Sequence, residues 1–349
     1  MRIHGTLVIV AIAAISLLGS ARALGQDELP MPAKERNAAL LYWQYRALES
    51  STTLLFMDLS DDPAWIPDQT VCQQLTQSQD AVGLLLRAGA QKKCDWGIEY
   101  ELGLDATLSH TVMARGATRV LRADARRLAV AGDMSGATDR VVAIFALARH
   151  LCHHEARLPE RSRAASVATV AAKEVQWLLE RGGLGSEDSL RLAAEVRNLT
   201  KTDPFGFVDG IRATRASLDN DLYRVVYPFV EKKLIKSEVN QIEGADLKDA
   251  VQRTAIDQVR LFSPPVAAAM DKAAEAWSKD DAVEVLTGIW DRKEELGMAN
   301  ILLPKLQDSK QAELRVIAHA SAVMALFPEE VRKEAEQKVR EPAQKPPRF

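Results

Sequence analysis

His150, His153 and His154 crowd one stretch of this 349-residue chain, with Cys152 between them and Glu155 directly after. Imidazole, thiol and carboxylate groups bind transition metals when they share a face. Helix geometry restricts that reading here. At about 100° per residue, with Ala148 at the centre of the apolar stripe, His150 and His154 fall near ~200° and ~240°, and Cys152 near ~40°. The metal candidates are therefore His150 and His154, needing a third ligand from His110, Asp95 or Glu155. The plainer role for these imidazoles is interaction with the negative end of a helix.

A second constellation is basic. Arg115, Arg119, Arg122 and Arg126 recur at i, i+4, i+7 and i+11, within about 60° of one another on a helix. Such a ridge, about three turns long, can bind an anionic partner: a phosphate, a polyanionic glycan or an acidic protein. Alternatively it pairs internally with Glu99, Glu101 and Asp105. Asp124 falls in the opposing apolar stripe between Leu121 and Leu128, where a carboxylate requires a partner.

A third group is acidic: Asp95, Glu99, Glu101 and Asp105 cluster beside Trp96 and Tyr100. Two carboxylates beside aromatic rings are the equipment of a glycosidase, which makes Asp95 and Glu99, with His110, the catalytic candidates. The plainer alternative is a solvated acidic loop anchored by Trp96 in the core. Aromatic residues make up only 5% of the chain, which weighs against a carbohydrate cleft. Gly-rich phosphate loops, Gly-x-Ser-x-Gly, His-Glu-x-x-His and Cys-x-x-Cys are all absent, which removes the common enzyme classes. No cofactor is expected.

The elements that must position these residues read as helices almost throughout. Alternating β-branched and aromatic runs are nearly missing, while Ala, Leu, Arg, Glu and Lys dominate. The expected fold is all-α: stacked antiparallel helical hairpins, α-solenoid or tetratricopeptide-like, without a regular tandem repeat. A first helix is expected over 32–57, facing inward with Leu40, Leu41, Ala47, Leu48 and Leu55, and a second over 68–90, capped by Asp68. A pair follows over 108–131 and 135–153, turning at Gly132-Asp133, then helices over 163–181 and 186–199. Pro204 and Ser263-Pro264-Pro265 mark further starts, since proline suits the first helical turn, and 311–326 reads as the last strong helix. The expected organisation is a hairpin domain over 24–205, a second helical region over 206–328 packed on it, and a charged, frayed tail over 329–349.

Residues 6–18 are an uncharged apolar run behind Arg2, and Ala21-Arg22-Ala23 places small residues at −3 and −1. This is the pattern of a signal peptide over 1–23, so the expected location is periplasmic or extracellular, with an uncleaved anchor as the alternative. Export would permit a Cys72–Cys94 disulfide, leaving Cys152 free; otherwise all three are small buried hydrophobes. A formal net charge of −3 predicts no general affinity for nucleic acid. No second apolar run of about 18 residues follows, so no transmembrane segment is expected after the signal.

The stretch from Cys94-Asp95-Trp96-Gly97-Ile98-Glu99-Tyr100 through Leu151, with Asn37-Ala38-Ala39, Tyr42-Trp43, Arg149-His150-Leu151 and Asp203-Pro204-Phe205, resembles an uncharacterised exported planctomycete-type family of all-helical proteins. Over residues ~35–210 the resemblance implies export and a helical fold, and no reaction. Ser109-His110-Thr111 departs from the Pro-His-Leu found in that family. The leading expectation is an exported helical scaffold or binding protein without catalytic activity. Its rival is a cell-envelope hydrolase, metal-dependent in one version, using loop 95–105 with His110, His150 and His154. A self-associating envelope component is a third.

Overall fold

Alanine-rich, amphipathic segments separated by Gly, Asp and Pro signals become helices, and little else is formed. The computed structural model describes residues 37–50, 62, 64–219, 222–223, 227–228, 230–232, 245–279, 281–291 and 304–340. The expected signal peptide lies outside these residues. Twelve α-helices are named among them and no strand; the one backbone pairing of β type is an isolated bridge, Asn37 to Lys93. The chain is all-α as expected. No helix among the described residues is long and apolar enough to cross a membrane.

The helices are α1 Ala38–Ser50, α2 Gln69–Gln77, α3 Gln79–Gly89, α4 Ser109–Val130, α5 Met134–Leu151 and α6 Leu158–Arg181. They continue with α7 Ser186–Leu199, α8 Phe207–Ala216, α9 Ala245–Ala276, α10 Ala282–Asp291, α11 Pro304–Leu326 and α12 Glu329–Arg340. Between α3 and α4 the chain is irregular apart from a 3₁₀ turn over Tyr100–Asp105.

Local chemistry sets the boundaries around α4 to α6. Gly132 adopts φ +89°, which an L side chain resists, and Asp133 then caps α5 by accepting from the Gly136 amide at 2.8 Å. Pro159 sits in the first turn of α6, where its missing N–H costs nothing. Glu160 reaches back to the Arg157 amide at 2.8 Å, the carboxylate half of a capping box.

Helix α6 packs against α4, α5, α8 and α11. Ala164, Ala165, Ala168, Ala171 and Ala172 are all buried on it, and small side chains allow several neighbours to approach one backbone. Larger residues such as Leu121, Ile144, Phe145 and Leu147 fill the spaces between, each contributing about 1.5–3 kcal/mol on burial. Cross-links fix the relation of α4 to α6. His110 meets Glu160, Arg126 meets Glu174, and Arg181 donates to the Ala129 carbonyl. Partners advance together along both helices, so α4 and α6 run in the same direction.

Several expectations are revised. Leu40 and Leu48 of α1 face outward, at 62% and 39% exposure, while Ala38, Tyr42, Tyr45 and Glu49 face inward. The tyrosines win because their hydroxyls find buried partners, His150 for Tyr42 and Glu49 for Tyr45. The helix expected over 68–90 is broken at Ser78 into α2 and α3, although Asp68 caps α2 as expected, accepting from the Val71 amide at 2.8 Å. Asp203 caps α8 through the Phe207 and Val208 amides, so that helix begins after Pro204 and not at it. Pro264 and Pro265 lie inside α9 and not at its start. Both rings, and Arg260 four residues before Pro264, are on the exposed side, where water can satisfy a carbonyl that loses its amide. Residues 329–340, expected to fray, form α12, held on α7 by buried Ala335 and an Arg197–Glu336 ion pair at 3.1 Å.

Candidate anion-binding cavity

Helices α4 and α6 enclose a cavity of about 800 Å³. From α4 come Arg115, Thr118, Arg119, Arg122 and Arg126, so the whole arginine ridge lines it. From α6 come Arg163, Val167, Val170, Lys173, Glu174 and Trp177, again at helical spacing, and α11 contributes His319. Sequence inspection did not single out the α6 wall. Its signal is the 3- and 4-residue spacing of Arg163, Ser166, Val167, Val170, Lys173, Glu174 and Trp177, a mixed polar and apolar stripe opposite the buried alanines.

The ridge is not uniform. Arg122 and Arg126 share Glu174: Arg122 Nε donates to Oε1 at 2.7 Å, Arg126 Nε to Oε2 at 2.7 Å and Arg126 Nη2 to Oε1 at 2.8 Å. Arg122 Nη2 also donates to the Asp62 carbonyl at 3.0 Å, and Arg126 Nη1 to the Trp65 carbonyl. The Arg126 guanidinium lies 4.9 Å and that of Arg181 5.4 Å from the Trp177 ring centroid, cation–π contacts that further fix the cluster. Arg126 is 1% exposed and Glu174 is as deeply buried, so these arginines form the fixed floor of the cavity. Of the internal partners weighed for the ridge none was Glu174; the described carboxylate that takes Arg122 and Arg126 comes from α6.

Arg115, Arg163 and Lys173 differ. Among the described residues no carboxylate lies within ion-pair distance of any of them. Six cations and two carboxylates, Glu174 and Glu180, are found in the described lining, so cations outnumber carboxylates there. His319 is held neutral near pH 7: burial lowers its pKa, and neighbouring Lys173 lowers it further.

Asp124 obtains the partner it requires. Fully buried, it accepts from Arg140 Nε of α5 at 2.8 Å and from Arg127 Nε at 2.8 Å.

The catalytic candidates are divided between surface and core. Asp95 is exposed and serves a turn, its carboxylate accepting from the Gly97 amide at 3.0 Å while its backbone pairs with the Asn37 side chain. Glu99 is exposed as well. His110 is fully buried beneath them: its Nε2 meets Glu160 Oε1 at 2.7 Å, and its ring packs at a tilt of 30° on Trp96 with centroids 5.0 Å apart. Glu160 also accepts from the Tyr100 hydroxyl, and His153 Nε2 lies 2.8 Å from that hydroxyl. Burial pushes the Glu160 carboxyl up, but the bonds from His110, His153, Tyr100 and the Arg157 amide outweigh it and hold the pKa at about 2. This network fastens the loop between α3 and α4 onto α6. Trp96 is buried at its centre, donating to the His150 carbonyl at 2.9 Å.

His150 and His154 do not share a site. Both His150 nitrogens are engaged, Nδ1 with the Tyr42 hydroxyl at 3.0 Å and Nε2 with the Gln91 carbonyl at 3.0 Å, and burial lowers its pKa to about 4. His154 is exposed beside Glu155. Among the described residues no three His, Cys, Asp or Glu side chains come together in a metal-binding arrangement. The Cys72–Cys94 bridge is not formed: both are free thiols, as is Cys152. Cys72 points at the Pro67 carbonyl, 3.7 Å away, whereas Cys94 packs on the core, where burial pushes its pKa up to about 12.

Comparison with protein-family models, with curated proteins and with solved structures finds no match to this chain. Its chemistry is therefore read from the cavity itself.

Proposed function

We propose that this chain is an exported, non-catalytic helical binding protein that holds an anionic partner between α4 and α6. One observation carries the reading: Arg115, Arg163 and Lys173 line a single cavity and have no carboxylate partner among the described residues. Like charges gathered on a concave, partly apolar wall focus their field and raise the local concentration of anions. About 800 Å³ falls inside the ~300–1,000 Å³ usual for ligand sites. The short connections after Val130, Leu151 and Arg181, with α4 and α6 running the same way on either side of α5, support a stack of helical hairpins as the scaffold. The apolar run over 6–18 supports export. The exposure of Asp95 and Glu99 and the burial of His110 against Glu160 favour binding over hydrolysis.

The test is titration of the protein with poly-L-glutamate, compared with an Arg115→Glu, Arg163→Glu variant. Arg122 is unsuitable for this purpose, because a carboxylate there would face Glu174. The variant should bind at least about tenfold more weakly, equivalent to about 1.4 kcal/mol. Unchanged affinity would remove the cavity from the proposal.

A further inference from the structure

The cavity is polarised along its length, and this constrains what fits. The cross-links between α4 and α6 pair residues about 50 positions apart: His110 with Glu160, Arg126 with Glu174, Ala129 with Arg181. In that register Arg115 stands level with Arg163, and Arg119 lies about one turn further on. The opposite end is formed by Trp177, Gln176 and Glu180, about 20 Å along α6 at 1.5 Å per residue. There the cations are already engaged: Arg126 and Arg181 lie against the Trp177 ring, Arg122 and Arg126 share Glu174, and Glu180 adds a second carboxylate. Between the ends run Val167 and Val170, with Lys173 exposed at the rim.

We infer that the cavity takes an amphiphilic organic anion, its carboxylate or phosphate head between Arg115 and Arg163 and its uncharged body along Val167 and Val170 toward Trp177. This rests on the anion-binding reading above and specifies its ligand. Guanidinium groups suit such heads because their planar donor fork matches two acceptor oxygens at once. An apolar body displaces water from the valine wall and contributes affinity that a bare anion lacks. A uniformly charged polymer can meet only the cationic end, because further along the cavity it would bring negative charge to Glu180.

The experiment uses the full chain and displacement of the fluorescent probe 8-anilinonaphthalene-1-sulfonate, with dodecanoate, dodecyl phosphate, dodecanol, acetate and inorganic phosphate as competitors. Dodecanoate and dodecyl phosphate should displace it, and their ratio reports which head the arginines prefer. Dodecanol, lacking charge, and acetate and inorganic phosphate, lacking a body, should each be at least about tenfold weaker, or 1.4 kcal/mol. Arg115→Gln with Arg163→Gln should weaken dodecanoate by a similar factor and leave dodecanol unchanged. Val170→Asn, on the half-buried wall, should weaken dodecanoate and dodecyl phosphate while sparing poly-L-glutamate. Equal competition by dodecanol and dodecanoate would overturn the inference, as would dodecanoate binding that ignores the arginine substitutions. Binding of poly-L-glutamate without dodecanoate would overturn it while leaving the broader proposal standing; binding of neither would sink both.

Discussion

Helices α4 and α6 enclose charge at two levels, and the levels are settled in opposite ways. Around Glu160 the carboxylate is fully buried and receives bonds from His110, Tyr100 and the Arg157 amide, with His153 beside them. One to four turns further along, cations outnumber carboxylates and the space between the helices opens. The same helix pair thus builds a closed joint at one end and an open, positively charged cleft at the other. What separates them is stoichiometry. A carboxylate saturated by donors can be sealed from water, whereas surplus guanidinium groups need solvent or an anion and keep their surroundings open.

The closed joint should be the costlier to damage. Glu160→Ala leaves His110, Tyr100 and His153 without their common acceptor, and a loss of about 3–5 kcal/mol is expected in chemical denaturation, as for other broken buried pairs. A loss below about 1 kcal/mol would mean that the network does not hold the loop.

Acid should find the same weakness. Glu160 titrates at about 2 in the folded chain against an ordinary 4.5, so its contribution is complete above pH 4.5 and disappears as pH falls toward 2. That shift corresponds to about 3 kcal/mol. Buried His150, lowered to about 4 from 6.5, adds an earlier loss as pH falls from 6.5 toward 4. Denaturant midpoints measured against pH should show both steps. Glu160→Gln should flatten the lower one and His150→Gln the upper one.

Glu174→Ala sharpens the contrast at the open end. Arg122 and Arg126 keep the Asp62 and Trp65 carbonyls and face the cavity, so the expected loss is smaller, about 2–3 kcal/mol. Removing the negative charge should also strengthen anion binding, which titration calorimetry would register. Arg115→Gln with Arg163→Gln should cost the least, within about 0.5 kcal/mol by thermal melting, since neither residue has a described carboxylate partner.

How far these levels could be read in advance follows from the range of the forces involved. Helix periodicity is local, and α4, α5, α6 and α7 lie within a few residues of where spacing and caps place them. The arginine ridge was visible for the same reason, as a repeat within one helix. Glu160 and Glu174 were not, because their partners on α4 stand 48 to 52 positions away and each resembles any other helical glutamate in sequence. The inward face of α1 was misread because Tyr42 and Tyr45 are ranked below leucine for burial until their hydroxyl partners are known. The wheel placed His150 and His154 on one face away from the core, but α5 ends at Leu151, so His154 lies beyond the helix, and His150 is buried with Tyr42 and Gln91 on its nitrogens.

The central claim, that the surplus of cations between α4 and α6 exists to receive an anion, is tested most directly by calorimetric titration of poly-L-glutamate at low ionic strength. Wild-type protein should bind with an affinity that falls as salt is added, and an Arg115→Glu, Arg163→Glu variant of unchanged melting temperature should give little or no heat. Equal binding by both proteins would contradict the claim.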